Sequence, residues 1–167
     1  DLDSKINGLN KSDLLLVAAR PAMGKSAFAL NLGVNVAKAY KKTVAIFNLE
    51  MSREQLAMRL LASESFIDMQ KLATGKLTDE EWGKLAMAAA SLSQTDIRID
   101  DNPSVTVADI NAKCRRIENL GLVVIDYLQL MTSSGYGKNS GDNRVTIVGE
   151  ISRALKIMAK ELNIPVV

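Results

Sequence analysis

A glycine-lysine-serine sequence joins an apolar run to a helix-forming run, and this junction constrains the fold more than any other part of the chain. Residues 14–32 read LLLVAARPAMGKSAFALNL, in which 14–17 predict a buried strand and the residues after Lys25 predict a helix. A loop between these elements points backbone N–H groups at phosphate, and the first helical turn adds about half a positive charge. The junction therefore predicts a nucleoside-triphosphate site.

Three residues of this loop have distinct predicted tasks. Gly24 allows close backbone approach, Lys25 places a charge beside the β- and γ-phosphates, and Ser26 offers a hydroxyl to Mg²⁺. The alternative is a strand-to-helix turn with an incidental Gly-Lys-Ser. This interpretation is weaker, because the motif lies at the junction between the predicted strand and helix. The predicted nucleotide-binding residues are Ala19, Arg20, Pro21, Ala22, Met23, Gly24, Lys25, Ser26 and Ala27.

The loop departs from the common GxxxxGK[ST] pattern at its first position, which is Ala19. Alanine can replace glycine there if its φ angle is negative. Pro21 fixes its own φ near about −65° and favours an extended path for the residue before it. We therefore expect an unusual loop shape.

The composition limits the kinds of site that the chain can contain. With 167 residues and 47% apolar content, we expect one α/β domain over 1–167. No histidine is present, which excludes His-based triads and His metal sites. Cys114 is the single cysteine, so it cannot form an intramolecular disulfide, and we expect a buried, inert thiol.

Charge and hydropathy predict a cytoplasmic protein and leave nucleic-acid binding open. No apolar stretch approaches the ~20 residues that span a bilayer, and the start DLDSKINGLN has no signal-peptide features. The net charge of +2 is too small to indicate DNA binding, and seven aromatic residues argue against a base-stacking platform. The chain has no initiator methionine and stops inside the apolar run NIPVV, so we expect a fragment of something longer.

Predicted strands and helices alternate along the chain. This alternation predicts βαβ units and a mostly parallel sheet with helices on both faces. Capping boxes that begin at Ser52 and Thr78 predict two of the helix starts. The predicted helices are 25–40, 52–63, 78–92, 106–119 and 145–162, the 106–119 helix being stopped by Gly121, and the strands after 14–17 are 44–50, 97–101, 122–126 and 164–167.

Two carboxylates end predicted strands, where open α/β sheets bind ligands. Asp126 can hold the Mg²⁺ of MgATP directly or through water, and the alternative is a turn-forming aspartate. Glu50 can polarise an attacking water, or it can merely favour the positive end of the helix that opens at Ser52. The phosphate loop favours the functional interpretation of Asp126, and the spacing leaves both interpretations of Glu50 open.

The segment from 132 to 143 is rich in Gly, Ser and Asn, and it predicts a mobile loop. Lys138 and Arg144, in and just after this loop, can contact a nucleic-acid backbone, although two charges are weak evidence. Arg59, Arg115 and Arg116 lie on predicted helices, where solvated or ion-paired side chains are the ordinary interpretation.

Four segments together resemble the ATPase domain of bacterial replicative DNA helicases of the DnaB type, and the resemblance covers essentially the whole chain. They are ARPAMGKS, NLEMSREQLAMRLL, VVIDYLQLM and EISRALKIMAKELNIPVV. An alanine at the first loop position, followed by Arg-Pro, is a characteristic feature of this family.

The resemblance implies a RecA-like P-loop NTPase fold and an ATP-hydrolysing helicase motor. It implies that residues 19–26 bind ATP, with Lys25 at the phosphates, and that Ser26 and Asp126 bind Mg²⁺. It also implies that Glu50 activates water. It also implies a homohexameric ring that encircles single-stranded DNA and moves 5′ to 3′ at the replication fork. Lys138 and Arg144 would then face the DNA channel.

The family resemblance further implies partners and segments that this sequence does not contain. These are an N-terminal domain that meets primase within the primosome, a linker helix, a helicase loader, and later strands with a sensor Gln and basic residues that reach a neighbour's site. A trans-acting arginine contributes about 10³–10⁵ in rate, so we expect the isolated chain to hydrolyse ATP weakly or not at all. The alternatives are a recombinase-like or clock-type ATPase, a nonhydrolytic ATP-binding assembly module, and, least favoured, a small-molecule kinase.

Overall fold

A parallel β-sheet forms the centre of the molecule. The computed structural model describes residues 7–20, 22–126 and 144–167. Strands β1 (Thr43–Asn48), β2 (Ile97–Asp100) and β3 (Leu120–Asp126) pair in the order β2-β1-β3, and both pairings are parallel. In this register Asn48 lies opposite Asp126, so β1 and β3 end side by side.

Helices pack on both faces of the sheet, as the alternation predicts. Alternate residues of β1 point to opposite faces because side chains in a strand have a period of two. Val44 and Ile46 pack on one face, and Ala45 and Phe47 pack on the other. The helices are α1 (Lys25–Tyr40), α2 (Arg53–Ser65), α3 (Met69–Thr74), α4 (Asp79–Ser93), α5 (Val107–Cys114) and α6 (Arg144–Leu162).

The two cores are built by different helices. On the first face α1 and α2 bury Leu30, Val34 and Leu56 against the strands. On the second face α5 and α6 bury side chains against Ala45, Phe47 and Val123, including an apolar stripe of α6. Its fully buried members are Ile151, Leu155 and Met158.

The predicted capping boxes are present at the starts of α2 and α4. Ser52 accepts from the backbone N–H of Gln55, and Thr78 accepts in the same way from Glu81. A third box, which the sequence analysis did not identify, joins Thr106 to Asp109 at the start of α5. It has Asp where the usual motif has Glu or Gln.

The strand predicted at 14–17 does not form, and Leu14 makes only an isolated parallel bridge to Val166. The neighbouring segment pairs only around Val166. Val166 N–H donates to Asp13 O and Val166 O accepts from Leu15 N–H, whereas β3 bonds Pro165 and Val167 on either side of Val166. In this parallel register Leu15 lies opposite Val167, the last described residue, so no described residue of this segment pairs with 16 and 17. The strand predicted at 164–167 is likewise reduced to two isolated bridges, both at Val166.

Two other predicted elements are too long. Strand β1 ends at Asn48 rather than 50, because the Asn48 side chain bonds the next free N–H groups and turns the chain. Helix α5 ends at Cys114 rather than 119. Beyond it, hydrogen bonds between residues three apart continue the chain as turns to Ile117. Gly121 lies in β3 and does not stop the helix, and a Cβ there would approach Lys42 Cβ to 2.5 Å.

Cys114 is buried, as predicted, and burial raises the pKa of its thiol to about 12. A thiol that stays protonated is a poor nucleophile, so Cys114 serves as a small core residue. The predicted mobile loop with Lys138 lies outside the described residues, and Arg144, just after it, begins α6. Within the described ranges, none of the helices combines the length and apolar character needed to cross a membrane.

Candidate functional site

The phosphate-loop segment forms one wall of a cavity of about 730 Å³. This part of the lining comprises Ala19, Arg20 and residues 22–26, where α1 has just started. A second part of the lining comes from the turn after β1 and from α2. Its residues are Glu50, Met51, Gln55 and Arg59.

The N-terminus of α1 faces this cavity without a capping side chain. Helices α2, α3, α4 and α5 each have a side chain that accepts from a first-turn N–H, whereas Gly24 at the start of α1 has none to offer. The first turn of α1 also contains no acidic residue. The N–H groups of a first turn without a side-chain cap and the helix dipole together favour an anion at this position.

The loop obtains its shape from Ala22 and Gly24. Among the described residues of the loop, these two have positive φ angles, 64° for Ala22 and 83° for Gly24. Ala19 does not require one, so alanine is tolerated at the first position of the motif. The unusual feature is therefore Ala22, an alanine in a left-handed conformation. Pro21 lies outside the described residues.

Lys25 is joined to the carboxylate at the end of β3. Its Nζ atom lies 3.1 Å from Asp126 Oδ1, and the Asp126 side chain is 7% exposed. Lys25 lines both the large cavity and a neighbouring hollow of about 320 Å³. Asp126 lines the hollow but not the large cavity. The two predicted site residues are therefore brought together, with Asp126 behind Lys25 as seen from the cavity.

Glu50 follows β1 and lies exposed on the cavity wall. Its position depends on the backbone, since its N–H donates to Asn48 Oδ1 at 2.9 Å. Leu49 N–H donates to Asp126 O at 2.8 Å, which ties the same turn to β3. Glu50, Lys25 and Ser26 thus line one cavity.

Sequence reasoning missed the contribution of α2 to the cavity. Gln55 and Arg59 are one helical turn apart and line the same wall. The ordinary interpretation of Arg59 as a solvated or ion-paired residue overlooked this position, and within the described part of the chain no ion pair of Arg59 is found. The signal that could have identified them is the i, i+4 spacing of Gln55, which belongs to the capping box, and Arg59.

The oxygen donors near Lys25 suit a magnesium ion that is bound mainly by a nucleotide. Ser26 supplies a hydroxyl and Asp126 a carboxylate, both hard oxygen ligands. Among residues 7–20, 22–126 and 144–167, no group of three or more His, Cys, Asp or Glu side chains could hold a metal by itself. A magnesium ion here would take its remaining ligands from phosphate and water, as is usual at such sites.

Comparison with known families shows to which family the chain belongs. A family model described as "DnaB-like helicase C terminal domain" matches residues 1–167. The chain belongs to this DnaB-like helicase family. The resemblance read from its motifs is thereby confirmed.

A relative and two solved structures extend the family comparison. The chain is 55% identical to "Replicative DNA helicase DnaB" of Geobacillus stearothermophilus over 170 residues, which cover 100% of the chain and 37% of the relative. A solved structure described as an "ATPase Domain" matches with a TM-score of 0.85 and 35% identity, covering 99% of this chain and 59% of that one. The DnaB-like chain therefore has the RecA-like α/β fold that the sequence predicts.

The second structure is described as "The Structure Of A DnaB-Like Replicative Helicase And Its Interactions With Primase". It also matches with a TM-score of 0.85 and 35% identity, and the match covers 99% of this chain and 40% of that chain. The chain spans a little over a third of the length of the curated relative from Geobacillus.

Lys138 and Arg144, the residues that the sequence proposes for DNA contact, are not placed at this site. Lys138 lies outside the described residues. Arg144 is the first residue of α6, and its side chain is outside the description.

Proposed function

We propose that this chain is the ATP-hydrolysing motor domain of a replicative DNA helicase. One observation supports the proposal above all: the start of α1, which has no side-chain cap and has Lys25 beside Asp126, lines the same cavity as Glu50. A phosphate chain bound in that cavity would meet N–H donors, a cation and a carboxylate. Membership of the DnaB-like helicase family supports a motor over other uses of this geometry.

In this proposal the loop binds ATP and the carboxylates divide two tasks. The nine predicted residues from 19 to 27 hold the phosphates, chiefly through backbone N–H groups and the ammonium of Lys25. Ser26 and Asp126 hold Mg²⁺, whose charge offsets that of the β- and γ-phosphates. Glu50 orients and deprotonates the attacking water, because its carboxylate is exposed to the cavity and its backbone is held in place.

We further propose that the chain works within a longer protein, because it spans 37% of a relative that is 55% identical. That protein is a cytoplasmic homohexamer that moves 5′ to 3′ on single-stranded DNA, with ATP sites between subunits. The related structure described with primase supports primase as a partner, and family resemblance supports a helicase loader. Lys138 and Arg144 remain the proposed contacts with DNA phosphates.

In the proposed hexamer a neighbouring subunit adds positive charge at the γ-phosphate. An arginine supplied in this way is worth about 10³–10⁵ in rate at comparable sites. We therefore expect the isolated chain to bind MgATP and to turn it over at least about a hundredfold more slowly than the full-length hexamer.

The deciding experiment measures ATP hydrolysis and forked-duplex unwinding by the full-length protein that carries this sequence. We expect single-stranded DNA to stimulate hydrolysis and Lys25→Ala to abolish both activities. Asp79→Asn is the control, because Asp79 is exposed in the first turn of α4 and does not line the cavity. Hydrolysis that does not respond to DNA would contradict the motor, and ATP binding without hydrolysis in the hexamer would favour an assembly module.

A further inference from the structure

Asn48 is a buried polar residue that touches both carboxylate-bearing segments of the site. It is the last residue of β1 and is only 2% exposed. Its Nδ2 atom donates to Asp126 Oδ2 at 3.4 Å. Its Oδ1 atom accepts from the N–H of Glu50 at 2.9 Å and from the N–H of Met51 at 2.6 Å. The two N–H donors fix which end of the amide faces the turn.

Strand pairing adds a rigid frame to these contacts. Asn48 and Asp126 are register partners in the parallel ladder, and Leu49 N–H donates to Asp126 O at 2.8 Å. The turn that carries Glu50 is therefore attached to the end of β3 through one backbone bond and one side chain. Glu50 itself is exposed, and these bonds fix the position of the backbone from which its side chain extends.

We propose that Asn48 is a positioning residue that sets the place of the Glu50 carboxylate relative to the magnesium site at Asp126. This inference rests on the proposed function, in which Glu50 activates water and Asp126 holds Mg²⁺. A neutral amide suits the task because one end accepts from the turn while the other donates to a carboxylate. Aspartate would preserve the acceptor but place a second negative charge beside Asp126.

A structural role and a positioning role make different kinetic predictions. If Asn48 only stabilises the fold, its replacement lowers the amount of folded protein, but each folded molecule keeps its kcat. If Asn48 positions Glu50, its replacement lowers kcat while the KM for ATP changes little, because the phosphates are held by the loop before α1. A displacement of about 1 Å in a reacting group costs on the order of 100-fold in rate.

The test compares Asn48→Ala and Asn48→Ser with the wild type in the full-length protein, with kcat normalised to nucleotide-binding sites. We expect Asn48→Ala to lower kcat by about tenfold or more with less than about a threefold change in KM. Serine retains a hydroxyl that can accept from one N–H of the turn, so Asn48→Ser should recover kcat to within about threefold of the wild type.

The matched control is Asn102→Ala. Asn102 also accepts from a backbone N–H two residues ahead, Ser104 N at 3.0 Å, but it is exposed and does not line the cavity. We expect this variant to keep the wild-type kcat. If Asn48→Ala also keeps it, or if Asn48→Ser is as slow as Asn48→Ala, the positioning role is overturned.

Glu50→Gln is measured beside these variants to keep the two hypotheses apart. Turnover that survives Glu50→Gln contradicts the proposed function of Glu50 and therefore the basis of this inference. Turnover that is lost in Glu50→Gln but unchanged in Asn48→Ala contradicts the role of Asn48 alone.

Discussion

The ammonium of Lys25 lies 3.1 Å from Oδ1 of Asp126, and the Lys25 side chain is 29% exposed while that of Asp126 is 7% exposed. A carboxylate this far from water needs a partner, because burying an unpaired charge is costly. Lys25 supplies that partner. If the chain binds MgATP as proposed, we expect Lys25 to exchange Asp126 for phosphate and Asp126 to exchange Lys25 for Mg²⁺.

Replacing Lys25 should therefore lower stability as well as nucleotide affinity. Lys25→Met keeps the aliphatic stem but leaves the Asp126 carboxylate without this cation, and we expect a loss of about 1–3 kcal/mol in the free energy of unfolding. Urea unfolding without nucleotide measures it. In a double-mutant cycle with Asp126→Asn, the two losses should be non-additive by about 1 kcal/mol. Strict additivity would show that the pair contributes no coupling.

Asp126→Asn should separate nucleotide binding from its dependence on magnesium. We expect Mg²⁺ to strengthen the binding of a fluorescent ATP analogue to the wild type at least about tenfold more than to Asp126→Asn, since an amide is a weaker magnesium ligand than a carboxylate. Equilibrium titrations with and without Mg²⁺ measure the ratio, and Asp79→Asn serves as the control. An equal effect of Mg²⁺ on both proteins would remove Asp126 from the metal site.

The positive φ angles of the loop predict opposite effects of two reciprocal substitutions. Ala22 has a φ of 64°, so Ala22→Gly should relieve backbone strain and change the free energy of unfolding by less than about 1 kcal/mol. Gly24 has a φ of 83° with no atom within 4 Å of an added Cβ, so Gly24→Ala should cost about 1–2 kcal/mol through the backbone alone. Thermal unfolding checks both, and a Gly24→Ala protein as stable as the wild type would contradict the loop conformation.

Glu64 predicts a pH dependence of stability. Its carboxylate contacts the ammonium of Lys38 and accepts from Ser91 Oγ at 3.1 Å, which ties α2 to α1 and α4. The hydrogen bond from Lys38 lowers the pKa of Glu64 below its ordinary value of 4.5, with burial opposing the shift. The folded state then binds fewer protons than the unfolded state, so this contribution is complete above the ordinary pKa and is lost as the pH falls through the lowered one.

Glu64→Gln should accordingly lower the free energy of unfolding by at most about 1 kcal/mol at pH 7, because the pair is partly exposed. The difference from the wild type should shrink as the pH falls toward about 3. Urea unfolding across this pH range measures it, and Lys38→Met should remove the same pH-dependent part from the other side of the pair. A difference that stays constant with pH would exclude the ionised contact as its cause.

The sequence predicted the parts of the fold whose local signals agree with their packing. Helix α1 begins and ends at the predicted residues 25 and 40, and the boxes at Ser52 and Thr78 start α2 and α4. The strand predicted at 14–17 did not form because a strand needs a partner along its whole length. Among the described residues of the distant segment, Val166 alone pairs with this stretch, at Leu14, and apolar periodicity does not contain that information.

The candidate site shows the same division. Gly24, Lys25 and Ser26 form a contiguous motif, so the sequence proposes them directly, whereas Glu50 and Asp126 become candidates because they end predicted strands, and for Glu50 the family resemblance was also needed. Arg59 and Asn48 belong to the site through three-dimensional proximity alone. Neither residue type is diagnostic by itself, since an arginine on a helix and an asparagine at a strand end usually have ordinary structural roles.

In the proposed mechanism Glu50 activates the water that hydrolyses ATP bound by Lys25 and its loop. ATP affinity and single-turnover hydrolysis, measured in the full-length wild type and in Glu50→Gln, test this role. We expect the affinities to agree within about threefold and hydrolysis by Glu50→Gln to be at least about 100-fold slower, as for loss of a general base. Hydrolysis by Glu50→Gln at the wild-type rate would contradict the assignment of Glu50 as the base.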